Sequence, residues 1–249
     1  MAWIESRLSD GGGGTDTLGQ YLEGSYTDLV GDITSICDNA LNNSVRTTSL
    51  NFPNVTSIGN YAFSNDTSIS SINFPKVTSI GNHAFSMCTT LSSIDLPEVL
   101  TIGNSSFYGC TAMSSVNLPK ATFIDERGLN SCTALTTVNI PNVATIGNSA
   151  FGGDTSLESL DLPSVTTISG GAFTSCSKLS TLILRYSSVV SLPNTNAFTG
   201  TPFASGKAGG TLYVPQDLIT SYQAYNRWST VLGWNENNQI LAIEGSIYE

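Results

Sequence analysis

The sequence predicts a β-rich solenoid, a chain wound into stacked 22-residue turns with a parallel sheet along one face and a cap at each end. Three observations carry this. The pattern S-x-x-x-P starts at Ser49, Ser71, Ser93, Ser115, Thr137 and Ser159, always 22 residues apart, and a seventh unit starts at Thr181 without its proline. Apolar residues recur two apart at the front of every unit, as a strand with one buried side requires. The periodicity stops at both ends, where the segments have a different character.

In chain order, residues 1–16 hold "GGGG" at Gly11 to Gly14 and read as a flexible N-terminal segment. Residues 17–48 read as an N-terminal cap and a partial repeat. Thr17 to Ile36 carries Leu18, Tyr21, Leu22, Tyr26, Leu29 and Val30 to cover the open end of a stack, and Ile33 to Leu41, "ITSICDNAL", fits the back half of one further unit. Residues 49–203 are the repeats. "SINFPKVTSIGNHAFSMCTTLS", from Ser71 to Ser92, is followed by "SIDLPEVLTIGNSSFYGCTAMS".

Within a unit, Leu91, Ile94 and Leu96 make L-x-x-L-x-L, the strand signature of leucine-rich repeats. Ile94 and Leu96 should face inward and Ser93 and Asp95 outward. Pro97, which donates no ladder hydrogen bond, should end the strand. Val99, Ile102 and Phe107 form a second apolar set, with Gly103 and Asn104 between as candidates for a turn with positive φ. A unit thus offers about six inward side chains, each worth roughly 1.5–3 kcal/mol when buried. Ordering each residue costs on the order of 1.5 kcal/mol, so units should fold only as a stack. Phe63, Phe85, Phe107, Phe151 and Phe173 should form one internal column, with Leu129 filling the gap. Strands ~4.8 Å apart put the sheet at roughly 30 Å. Residues 204–249 read as a C-terminal cap. "TLYVP" has a strand pattern, and Pro215 opens a helix with Leu218, Tyr222, Tyr225 and Trp228 on one face.

Composition limits the function. Of 249 residues, 40% are hydrophobic and 11% charged, with nine Lys and Arg and a formal charge of -10. No cations cluster, so neither nucleic acid nor an anionic membrane is an expected partner. No apolar run reaches membrane-spanning length. "MAWIESRLSDGGGGTDT" has no apolar h-region, so no signal peptide is expected in this chain.

Candidate sites are few. Cys88, Cys110, Cys132 and Cys176 share one place in their units, held by Asp66 and Asp154 in two others. That is a column, not the paired short spacing of a zinc site, and Cys and Asp can both bond backbone groups at a turn. No cofactor is expected. His83, the lone histidine, has no fixed orienting partner or nucleophile, so no catalysis is expected. Two surfaces remain. The outward strand positions, such as Ser93, Asp95, Ser115 and Asn117, are either a solvated sheet face or a polar array for multivalent hydrogen bonding. The variable position after "G-N" holds Tyr61, His83, Ser105 and Arg127, with Met87 and Tyr108 shortly beyond. Aromatics and Arg are the usual interface anchors, so the candidate ligand contacts are Tyr61, His83, Met87, Tyr108 and Arg127. The fourth unit is irregular, reading "DERG" at Asp125 to Gly128 where others read G-N-x-A.

The unit P-x-V-T-x-I-G-N-x-A-F-x-x-C-T-x-L resembles the BspA-like leucine-rich repeats of bacterial surface proteins. The tail "NTNAFTGTPFASGKAGGTLYVPQDLITSYQAYNRWST" resembles the ending of many such proteins from gut Firmicutes and their phages. Together these cover about Ile33 to Ile243. The resemblance implies a non-catalytic, adhesin-like module that binds a protein or glycan on a host or bacterial surface over an extended face. The alternative is a phage or prophage particle component that contacts the bacterial surface. Cell-surface and phage-particle locations both stay open.

Overall fold

The structure, a computed structural model, describes residues 34–45, 48–204, 209–232 and 239–243. The Gly11 to Gly14 joint and the Leu18 to Val30 part of the expected N-terminal cap lie outside the described residues. Within them the chain is a parallel β-solenoid with two rows of strands. The predicted S-[LIV]-[ND] strands form one row: Ser49–Asn51, Ser71–Asn73, Ser93–Asp95, Ser115–Asn117, Thr137–Asn139, Ser159–Leu162 and Thr181–Leu184. Thr211–Val214 and Gln239–Ala242 extend it into the C-terminal region. By hydrogen bonding this row divides into sheets of two, three and four strands.

The unbroken sheet is the other row, which sequence reasoning treated only as a second apolar set. It has seven parallel two-residue strands in chain order: Ser35–Ile36, Ser57–Ile58, Ser79–Ile80, Thr101–Ile102, Phe123–Ile124, Thr145–Ile146 and Thr167–Ile168. The partial opening repeat supplies its first strand, with Ser35 and Ile36 in register with Ser57 and Ile58.

The expected inward set is inward. Leu91, Leu96, Val99, Ile102 and Phe107 are fully buried, and Ile94 nearly so. The phenylalanines stack along the axis, Phe63 on Phe85 at 4.9 Å and Phe85 on Phe107 at 5.2 Å between ring centroids. Buried Leu129 takes the next place, and the column resumes with Phe151 on Phe173 at 5.5 Å. It then gains Phe198, 5.3 Å from Phe173, which lies outside the 22-residue spacing because the seventh unit is longer.

The outward face of the first row satisfies itself. Asn73 Nδ2 donates to Asn51 Oδ1 (2.8 Å), Asn117 Nδ2 to Asp95 Oδ1 (2.7 Å) and Asn139 Nδ2 to Asn117 Oδ1 (2.6 Å). Asp161 takes a two-pronged contact from Arg185, with Nη2 at 2.9 Å. Groups spent on one another are less available to a ligand, so this face is structural first.

At the C-terminal end the expected single helix is a 3-10 turn, Gln216–Leu218, then helices Ile219–Ala224 and Asn226–Leu232. Tyr225 has extended backbone (ψ 109°) and separates them. The expected four-residue apolar face is therefore corrected: Tyr222 and Trp228 are buried, Leu218 is half-buried and Tyr225 is exposed. Val190 explains the buried pair. Its N–H donates to Tyr222 Oη (3.0 Å), and its carbonyl accepts from Trp228 Nε1 (2.8 Å). Trp228 also packs on Phe198, 5.7 Å between centroids, closing the internal column.

Candidate functional site

The variable ridge is built by the G-N-x-A-F turn. The glycine is there for close approach. A Cβ at Gly81 would lie 2.6 Å from the backbone N of Asn60, and at Gly103 2.8 Å from the Ile80 carbonyl oxygen. The asparagine links turns: Asn60 N donates to Asp38 Oδ1 (2.6 Å), Asn82 N to Asn60 Oδ1 (2.8 Å) and Asn104 N to Asn82 Oδ1 (2.9 Å). Positive φ was expected at Gly103 and Asn104. It falls one residue later, on the variable position itself: Tyr61 55°, His83 55°, Ser105 52° and Arg127 54°. A non-glycine residue held there costs roughly 1–2 kcal/mol.

That backbone is held by main-chain bonds alone. Tyr61 N donates to Asn82 O and His83 N to Asn104 O, both at 2.9 Å, and their carbonyls accept from Ser64 N (3.2 Å) and Ser86 N (3.1 Å). The Tyr61 and His83 side chains are displayed without a hydrogen bond to the scaffold among the described residues, whereas Ser105 is buried and its Oγ donates to Asn104 Oδ1.

The structure brings Tyr61 and His83 together as a stacked pair, 4.8 Å between centroids and 6° from parallel. Met87 occupies a second positive-φ position (61°) and is 39% exposed, its sulfur lying over Gly109. Tyr108 is 37% exposed, and its carbonyl accepts from Met87 N (2.6 Å). Exposed Arg127 stands two turns beyond His83, with Nε 3.9 Å from Glu126 Oε1.

Beside the stacked pair runs an open trough of about 520 Å³, lined by Asp38, Asn39, Asn60, Tyr61, Asn82, His83 and Asn104. Met87, Tyr108 and Arg127 are not in its lining. The trough spans the same turns as the asparagine ladder. In the irregular fourth unit Glu126 N takes Asp125 Oδ1 (2.6 Å), and Asn104 Oδ1 accepts from Ser105 Oγ (2.7 Å), so the ladder stops. Sequence reasoning missed Asp38 and the asparagines because it read G-N as a turn signal. The signal available was the recurrence of Asn or Asp at one place in four successive turns.

The cysteine column is structural. Cys88, Cys110, Cys132 and Cys176 are reduced and fully buried. Each thiol meets the carbonyl of a phenylalanine in the preceding unit: Phe63 (3.1 Å), Phe85 (3.2 Å), Phe107 (3.3 Å) and Phe151 (2.9 Å). The partner expected was a nearby turn group; the bond instead ties one unit to the next. Asp66 makes the local version, with Oδ1 accepting from Ser68 N (2.9 Å) and Ile69 N (3.1 Å). Asp154 reaches back to Cys132 N (2.8 Å). Among the described residues, no group of three or more His, Cys, Asp or Glu is arranged to hold a metal ion.

Comparison with known proteins agrees with this architecture. The model of the BspA type leucine rich repeat region matches six copies over residues 34–154 and 122–205. Among solved structures, the T. pallidum leucine-rich repeat protein is 24% identical with a TM-score of 0.60, covering 86% of this chain and 94% of that one. A leucine-rich repeat protein from Bacteroides ovatus is 18% identical, TM-score 0.37, covering 85% and 88%. The pneumococcal vaccine antigen PcpA is 13% identical, TM-score 0.42, covering 85% and 71%. No curated protein matches the chain.

Proposed function

The chain belongs to the BspA type leucine rich repeat family, and on that premise we propose that it is a non-catalytic, adhesin-like module that grips a protein or glycan on a host or bacterial surface. Solenoids of this kind present extended surfaces to macromolecules. The observation that carries the reading is where the anchor-type side chains stand. Tyr61, His83, Met87, Tyr108 and Arg127 all lie in the first four units, at turn positions whose backbone bonds adjacent turns together and leaves the side chain at the surface. The matching positions of units five and six hold Ser149, Gly152, Gly171 and Thr174. The displayed rings and the guanidinium have the size and rigidity of interface anchors. No described helix is long and apolar enough to cross a membrane.

The test is a panel of immobilised extracellular-matrix proteins and bacterial wall glycans. For a ligand that binds, Tyr108→Ala and Arg127→Ala should each weaken affinity by about 1–2 kcal/mol, roughly 5–30-fold. Ser149→Ala and Thr174→Ala should leave it unchanged. Equal, small effects at all four positions would move the contact surface off this ridge.

A further inference from the structure

We propose that the trough beside Tyr61 and His83 is a binding site for a neutral saccharide; this deepens the reading of the ridge as a binding surface and rests on it. Its volume, about 520 Å³, falls within the roughly 300–1,000 Å³ of small-molecule sites. It follows the ladder through four successive turns, about 14 Å at the strand spacing, enough for a short run of hexose rings.

The lining has the two surfaces a hexose needs. The stacked rings of Tyr61 and His83 supply a flat apolar wall for the C–H face of a sugar. The polar part supplies fixed donors and an acceptor for its hydroxyls. Because Asn82 Oδ1 and Asn104 Oδ1 are already bonded within the chain, the planar amides turn their Nδ2 groups away from those bonds. Neither Nδ2 has a hydrogen-bond partner among the described residues, so both stand as oriented donors; Asp38, whose oxygens take Asn60 N (2.6 Å) and Nδ2 (3.4 Å), offers its remaining carboxylate lone pairs at the far end. Such groups need no reordering when a ligand arrives.

Charge sets the class of sugar. Asp38 is the one acid in the lining and no Lys or Arg joins it, in a chain with a net charge of -10. An anionic sugar or a phosphate would meet repulsion without a counter-charge. A peptide anchored by apolar side chains would meet a lining in which five of the seven residues are Asn or Asp.

The test titrates the full chain with cellotetraose, xylotetraose, mannotetraose and maltotetraose, and with tetragalacturonate as the anionic counterpart, followed by saturation-transfer NMR and calorimetry. At least one neutral oligomer should bind with a millimolar or tighter Kd. Tyr61→Gly and His83→Gly should each weaken it at least about tenfold. Both variants suit the positive-φ backbone, where the sixth unit already has Gly171. Asn82→Asp keeps the oxygen that caps Asn104, as Asp38 does for Asn60, but deletes the amide donor, and should also weaken binding. Ser149→Gly, at the same place beyond the ladder, should not. No neutral oligomer bound at about 10 mM, undiminished binding in Tyr61→Gly, His83→Gly and Asn82→Asp, or preference for tetragalacturonate would each overturn the proposal. If saccharides fail while a protein ligand still depends on Tyr108 and Arg127, the saccharide site falls and the wider ridge stands.

Discussion

Asp154 shows how one residue repairs an irregular unit. At the corresponding places Cys88, Cys110 and Cys176 donate their N–H to Phe85, Phe107 and Phe173 carbonyls within their own turns. In the fourth unit the Cys132 N–H goes instead to Asp154 Oδ1 of the next unit, and not to the Leu129 carbonyl. The carboxyl is fully buried and Oδ2 has no hydrogen-bond partner, so desolvation raises its pKa well above the ordinary carboxylate value. The unfolded chain therefore releases this proton at lower pH than the folded one. Stability from this group is complete below the unfolded carboxylate range and falls as pH climbs through the folded pKa. Asp154→Asn, which keeps the acceptor, should flatten that fall in urea titrations across pH. Asp154→Ala should cost about 1–3 kcal/mol at low pH, where the carboxyl is neutral and the Cys132 N–H loses its acceptor, and less as pH climbs, because the variant escapes the burial of a charge. The thiols give a second prediction. Burial pushes Cys176 up to about 12 and raises Cys88, Cys110 and Cys132 as well. The thiolate is the reactive form, so a disulfide reagent at pH 8 should modify only half-buried Cys37 in the native protein and all five cysteines after denaturation.

At the scale of elements, the phenylalanine column runs fully buried along the stack, interrupted by Leu129. Phe107 sits between Phe85 and Leu129, so Phe107→Ala should cost about 3–5 kcal/mol. In a stack that loss spreads to neighbouring units and lowers the guanidinium midpoint of the whole transition. An unchanged midpoint would remove Phe107 from the core. This column and the first strand row are legible in the sequence because Leu91, Ile94 and Leu96 alternate with polar residues and the phenylalanines recur at a fixed interval. The second strand row is not. Thr101 and Ile102 make a two-residue strand, too short for any alternation, and Ile102 reads equally as a packing residue. The trough is hidden for a different reason. Asn60, Asn82 and Asn104 resemble turn formers, yet Asn60 and Asn82 accept the N–H of the next asparagine one turn away, and Asn104 donates the last of these bonds. Only the axial register of the stack brings them into line with Asp38.

Across the whole molecule, the open end of the stack is closed by two residues on two short helices. Tyr222 and Trp228 hold both polar groups of Val190, and Trp228 covers Phe198. Trp228→Ala uncovers the column and leaves the Val190 carbonyl without its donor. It should cost about 3–5 kcal/mol in chemical denaturation and raise binding of a hydrophobic dye; a variant as stable as the parent would place the closure elsewhere. The stack also bears on heredity. Hydroxyl-to-carbonyl bonds across turns join residues 22 apart at Thr56–Thr34, Thr136–Ser114 and Ser180–Glu158, and the displayed side chains of Tyr61 and His83 take no part in them. Unequal crossing-over that duplicates or deletes one whole unit therefore leaves every neighbour in register. A copied unit carrying an aromatic residue after G-N adds one ring to the Tyr61–His83 pair and one rung to the ladder beside it. A lineage can lengthen or shorten its contact surface by recombination alone, with no new folding problem to solve.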